Sequence, residues 1–344
     1  MNESKNGKKE KRMILILSVC LVILIIISIC VGRYAIELRE IPSIFRQWMS
    51  GNLDEASRKA VTVLFVIRVP RILLALLTGA GLAASGAAYQ GLFQNPMVSP
   101  DILGVSSGAS VGAALALLLG FSSGMVHVTA FVFGIMAVGL VVMISHIATE
   151  RSGQILIMVL SGTVISSVFS AFTSLIKYVA DTDEKLPAIT FWLMGSFAKS
   201  GSYTNVKIMI FVTLLGLIPL LALRWKINAL SFGEDEAASL GVDVRKIRNV
   251  IIFSSTLLTA SSVCICGMVG WVGLIMPHIS RLLVGSNYGK MLPVTILSGA
   301  IFMLLVDNVS RVIIPGELPI GILTSLIGAP LFIYLLFSGR KEWI

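Results

Sequence analysis

The stretch "LSFGEDEAASLGVDVRKIR", Leu230 to Arg248, decides how this chain is read. Charged side chains crowd it, in a sequence of 344 residues of which only 13% are charged and 56% hydrophobic. Apolar runs long enough to cross a bilayer flank it on both sides. A soluble domain of this size carries about 25% charged residues. The mean hydropathy of +0.92 instead describes an all-α, multi-spanning membrane protein in which this stretch is a polar island.

Outward from the island, ten spans of roughly 20 residues each are expected. They fall at 13–33, 62–92, 102–120, 126–148, 153–177, 204–224, 248–269, 271–285, 290–312 and 319–338. No polar stretch is long enough to fold alone, so 1–344 reads as a single transmembrane domain, with 1–12 a cytoplasmic tail and 62–338 holding the nine spans after the first. The run Met13–Val31 is longer than the apolar core of a signal peptide, and no small-x-small cleavage site follows it. It reads as a retained span. An even number of spans puts both termini on one side. Lys5, Lys8, Lys9, Lys11 and Arg12, then Arg224, Lys226, Arg245, Lys246 and Arg248, then Arg340 and Lys341 share that side. The positive-inside rule makes it the cytoplasm. The net charge of +9 is therefore a topology signal, and nucleic acid is not an expected partner. The segment 178–203 falls outside, with "PAITFWLMGSF" as a short helix.

Small residues line several spans. Gly79, Ala83, Ala87 and Gly91 recur every four residues in the second, and Gly104, Gly108 and Gly112 in the third. In lipid such stripes let helices approach closely. The fifth span carries "SGTVISSVFSAFTS", in which Gly162, Ser166, Ser170 and Ser174 share a face beside Thr163 and Ser167. Packing and the border of a water-filled path both remain open there. Cys20, Cys30, Cys264 and Cys266 all lie in apolar segments and read as buried thiols.

The chain lacks H-E-x-x-H and G-x-x-x-x-G-K-[ST], the signatures of a zinc protease and a nucleotide-binding loop. No catalytic residue, cofactor or metal site is expected. If the chain pumps, the energy must come from a partner, or from an ion gradient in the alternative of a secondary transporter. Only Asp307 stands as an acidic residue inside the apolar segments, with Arg311 four residues on. An ion-driven secondary transporter depends on that one carboxylate.

Within the island, Ser231 and Glu234 match the S-x-x-E capping box. A helix is expected from Phe232 to Leu240, stopped by Gly241, and a second is capped by Asp243. Phe232, Ala237 and Leu240 offer an apolar face, so a docking hairpin is favoured over a solvated connector.

Four stretches together resemble one family. They are "RVPRILLALLTGAGLAASGAAYQGLFQNPMVSPDILGVSSGASVG", "LSFGEDEAASLGVDVRKIR", "MVGWVGLIMPHISRLLVG" and "ELPIGILTSLIGAPLFIYLL". In order and spacing they are similar to the permeases of ABC importers for iron–siderophores, haem and cobalamin, the FecCD family. The resemblance runs from about residue 60 to the C-terminus. It implies two permease subunits, identical or sister chains, around a central path in the bacterial cytoplasmic membrane. It also implies two ATP-binding subunits, an extracytoplasmic binding protein and a metal chelate, most often an iron–siderophore, as cargo. It assigns 230–247, with Ser231, Phe232, Gly233, Glu234, Ala237, Leu240 and Gly241, to coupling with the ATPase. Arg68, Arg71 and Arg311 become docking residues for the binding protein, with headgroup anchoring as the alternative. An inner gate is implied near "ATERSGQ", at Thr149 and Ser152, and the path beside Gly162, Ser166 and Ser170.

Overall fold

The computed structural model describes residues 2–50, 55–148, 154–198, 200–314 and 316–338. Among them all regular structure is helical. In chain order the helices are α1 (Asn2–Cys30), α2 (Ile41–Ser50), α3 (Glu55–Val61), α4 (Val69–Leu92), α5 (Val105–Leu118), α6 (Ser123–Ala148), α7 (Gln154–Val179) and α8 (Lys185–Met194). Then come α9 (Tyr203–Ala222), α10 (Arg224–Leu230), α11 (Glu234–Ser239), α12 (Val244–Cys266), α13 (Val272–Val284), α14 (Tyr288–Val312) and α15 (Ile320–Ser338). A π-helical stretch, Thr62–Arg68, joins α3 to α4.

Seven of these helical segments are long and apolar enough to cross a membrane, and Val105–Leu118, Val272–Val284 and Ile320–Leu335 are shorter apolar helices. The ten together match the ten expected spans. The connector before the second span contains α2 and α3, and the expected external helix forms as α8. The thickness of a bilayer is thus written in each segment separately, because every spanning helix satisfies its own backbone.

Burial ranks the spans. In α12, 83% of the spanning window is buried within the chain, against 6% in α1. So α12 is central and α1 peripheral. Beside α12 lies α4, which packs on α14, α12, α13 and α9. The small-residue stripes make these crossings. A Cβ added at Gly79 would strike the Gly299 carbonyl, and one at Gly299 would strike that of Gly79. On α5, Gly108 and Gly112 face the backbone of α6 at Phe133 and Thr129. Packing is therefore the role of both stripes, with backbones brought together where water supplies no driving force.

By alternation of the spans, one end of the bundle carries the α4–α5 loop, the island and the α13–α14 turn. The other carries α2, α3, α8 and the segment before α15. Large apolar side chains such as Val132, Met136, Leu160 and Phe211 point outward, as lipid-facing surfaces require.

Candidate functional site

The island forms α10, α11 and the start of α12, but its first cap differs from expectation. The capping box is overturned. Ser231 ends α10, and its Oγ donates to the Asn228 carbonyl at 2.7 Å. The residue preceding α11 is Gly233, with φ +132°, and Glu234 is already the first helical residue. A capping box needs its Glu three positions past the cap, so the shifted start removes the geometry. Glu234 instead pairs with Arg248 of α12. The expected helix Phe232–Leu240 shortens accordingly to Glu234–Ser239.

The other stops hold. Gly241 has φ +76°. Val242 N–H donates to Ala237 O at 3.0 Å and Gly241 N–H to Ala238 O at 2.9 Å, the paired bonds of a Schellman end. Ala237 and Val242 are buried beneath them, so Ala237 supports the hairpin from below rather than sharing its outer face. Asp243 Oδ1 accepts from Lys246 N–H at 3.0 Å and caps α12. Arg248, buried, reaches both Glu234 and Gln154 at the start of α7. The hairpin is thereby bolted to two spans. What it presents outward is Phe232, 70% exposed, and Leu240, 61% exposed, with the exposed acids Asp235 and Glu236 between them.

At the other end the three arginines come together, all buried. Arg68 donates to the carbonyls of Ile29, Cys30 and Tyr34, satisfying the C-terminus of α1, where carbonyls lack helical partners. Arg71 Nε donates to Asp307 Oδ1 at 2.8 Å and Nη1 to Glu317 Oε1 at 3.0 Å. Arg311 Nε lies 3.2 Å from Asp307 Oδ2 and Nη2 donates to Ser28 Oγ at 2.7 Å. The expected contact between Asp307 and Arg311 is present, enlarged into a network joining α1, α4, α14 and Glu317. In this conformation the three guanidiniums are engaged inside the chain. The exposed cations at this end include Arg33, Arg39, Arg46 and Arg58. Local spacing carried no sign of Glu317, Ser28 or the Arg248 clamp, whose partners lie far apart in sequence or on separate helices.

The hydroxyl stripe of α7 divides. Gly162 packs against Ile102 and Leu103, and Ser166 against Gly104. Thr163, Ser167, Ser170 and Ser174 are exposed. Of these, Thr163, Ser167 and Ser174 bond their hydroxyls back to carbonyls one turn earlier, a face with mild polarity and no charge. Thr149 and Ser152 lie outside the described residues.

The family model of the FecCD transport family matches residues 20–338. The chain is 45% identical, over 94% of its length and 95% of the relative's, to the molybdate import system permease protein MolB of Haemophilus influenzae. It is 38% identical, over 93% of its length and 96% of the relative's, to an iron chelatin transport system permease protein of Helicobacter pylori. A solved structure, an inward-facing conformation of a metal-chelate type ABC transporter, superposes with a TM-score of 0.82 at 42% identity, covering 96% of this chain and 99% of that one. The ten-span bundle, the bolted hairpin and these near-full-length matches lead to one conclusion: the chain is a multi-pass membrane protein that belongs to the FecCD transport family, as an ABC importer permease.

Proposed function

We infer that this chain, as one transmembrane domain over 1–344, is the non-catalytic translocation subunit of a binding-protein-dependent importer in the bacterial cytoplasmic membrane, both termini cytoplasmic. Two such subunits, identical or sister chains, enclose the path, and two ATP-binding subunits drive it. The observation that carries this is the hairpin. A six-residue helix held by a Schellman end, a capped successor and a buried Arg248 transmits displacement instead of absorbing it. Phe232 and Leu240 give an ATPase surface an apolar grip, with Ser231, Gly233, Glu234, Ala237 and Gly241 setting its shape.

At the outer end the binding protein docks. Arg68, Arg71 and Arg311 hold the docking platform in register, and the exposed arginines of 31–58 steer the encounter, an effect that weakens with salt. The exposed hydroxyl face of α7, with Ser170, borders the path, and the packed Gly162 and Ser166 fix its position. Thr149 and Ser152 are proposed for the inner gate. An ion-driven mechanism is disfavoured because Asp307, the one buried acid among the described residues of the spans, is held between two arginines.

The cargo is a metal chelate, with iron–siderophore the first candidate. Molybdate is a second reading, favoured by the 45% identity to the molybdate permease. In liposomes holding the chain and its ATPase, replacing Phe232 and Leu240 by Ser should abolish ATP-driven uptake without affecting membrane insertion. Undiminished uptake overturns the coupling role. The cognate binding protein, titrated with ferric siderophores and with molybdate, decides the cargo.

A further inference from the structure

At the island end a cavity of about 550 Å³ opens between the α4–α5 loop, the junction of α10 and α11, α13 and α15. Its polar wall includes Gln94, Asn95, Asn228 and Ser231. Among the described residues that line it, Arg281 is the one permanent charge and none is a carboxylate.

Arg281, half-buried, differs from the four buried arginines. Arg71 and Arg311 share Asp307, Arg248 has Glu234, and Arg68 has helix-end carbonyls. Arg281 has neutral partners: its Nη2 donates to Gln90 Oε1 at 2.6 Å and to the Tyr288 hydroxyl at 3.5 Å. Its Nη1 is buried with no hydrogen-bond partner, and no ion pair among the described residues reaches it. An orphaned charged donor in a low-dielectric site is costly. Gln90 cannot turn to relieve it, because its Nε2 is committed to the carbonyls of Val98 and Leu274, each at 3.3 Å.

Two further features point the same way. Gln94 ends α4 in the left-handed region at φ +49°, with its N–H donating to Gly91 O at 3.4 Å and Asn95 N–H to Gln90 O at 3.2 Å, a Schellman end that fixes the turn carrying both side chains at the cavity wall. Asn228 uses Oδ1 to accept from Tyr288 N–H at 3.2 Å, which leaves its Nδ2 as a donor.

We propose that this cavity binds a phosphate-type oxyanion, with Arg281 supplying the charge and the amides of Gln94, Asn95 and Asn228 the surrounding donors. The half-buried guanidinium faces the cavity with its charge, in the planar N–H geometry that oxyanions match. Because Ser231 and Phe232 form part of the wall, an anion held there bridges α13 to the hairpin. Either a lipid phosphodiester at this membrane face or a free tetrahedral oxyanion supplies that chemistry.

The test is equilibrium dialysis of radiolabelled orthophosphate against the full chain in dodecyl maltoside, freed of lipid phosphorus, at constant chloride. Saturable binding near one ion per chain is expected, displaced by sulfate and molybdate. It should weaken at least about tenfold in Arg281→Gln, the scale of one charge-assisted contact. If that variant fails to fold, displacement by sulfate but not by chloride in the unaltered chain carries the test. Repeating the dialysis in phosphatidylglycerol nanodiscs distinguishes the sources. Suppressed binding identifies the lipid phosphate as occupant, and retained binding the free anion. No saturable binding in maltoside, or equal binding by well-folded Arg281→Gln, overturns the proposal.

Discussion

Arg248, buried in the flank of α12, is ion-paired with Glu234 at the first turn of α11, fourteen residues earlier in the chain. The same guanidinium reaches Gln154 at the start of α7. One side chain therefore ties the protruding hairpin to two spans, which is what a lever needs at its fulcrum. Glu234 is partly open to solvent but Arg248 is buried, so its loss should cost between about 1 kcal/mol, the exposed-pair scale, and about 3 kcal/mol, the scale of a charge left buried. The mechanical consequence is larger. Glu234→Ala should insert and assemble normally, yet lower ATP-driven uptake several-fold while ATP hydrolysis continues. Arg248→Met alone should do the same, and the double variant should be no worse than the more affected single one. A double-mutant cycle on uptake measures that coupling.

Gly241 isolates the backbone contribution. It sits at φ +76°, and a Cβ placed there would meet nothing within 4 Å. Gly241→Ala therefore tests left-handed geometry without a clash, at a cost of about 1–2 kcal/mol. Gly241→Asn should cost less, since Asn tolerates this region. Uptake should rank Gly above Asn above Ala, and full activity in the Ala variant would show that the Schellman end is not needed.

Asp307 separates two power sources. It is fully buried between Arg71 and Arg311, and a carboxylate so placed is a structural counter-ion. Asp307→Asn should lower the thermal midpoint, because removing one partner of a buried network costs about 3–5 kcal/mol. Uptake into liposomes with an imposed proton gradient and no ATP should be absent in both the parent and the variant. Gradient-driven uptake in the parent that disappears in the variant would establish the ion-coupled alternative.

These cases also show where sequence reading stops. Each span was legible because hydropathy over one bilayer thickness is a property of one helix. The stripe of Gly79 signalled close approach, but nothing in it named Gly299 as the opposing residue. Ser231 and Glu234 had the spacing of a capping box, and the positive φ of Gly233 decided against it, since a local pattern does not reveal which residue takes the extended turn. Arg68, Arg71 and Arg311 read as surface cations because their partners, the end of α1, Asp307 and Glu317, converge only through the packing of α1 against α14. Asp243 and Gly241 were legible because caps are local.

The split stripe of α7 makes the final prediction. Ser167 and Ser170 are exposed hydroxyls on a helix whose opposite exposed positions, Val168, Phe172 and Val179, are apolar. If the hydroxyl side borders the path, cysteines placed there meet water, and cysteines on the apolar side meet lipid. In a background with Cys20, Cys30, Cys264 and Cys266 replaced, Ser167→Cys and Ser170→Cys should react with a membrane-impermeant cationic thiol reagent. Val168→Cys and Phe172→Cys should react much more slowly, because a thiolate does not form readily in hydrocarbon. Cargo-loaded binding protein should slow labelling at the serine positions by occupying or closing the path. Equal labelling on the two sides would assign the stripe to packing alone and move the path to another face of the bundle.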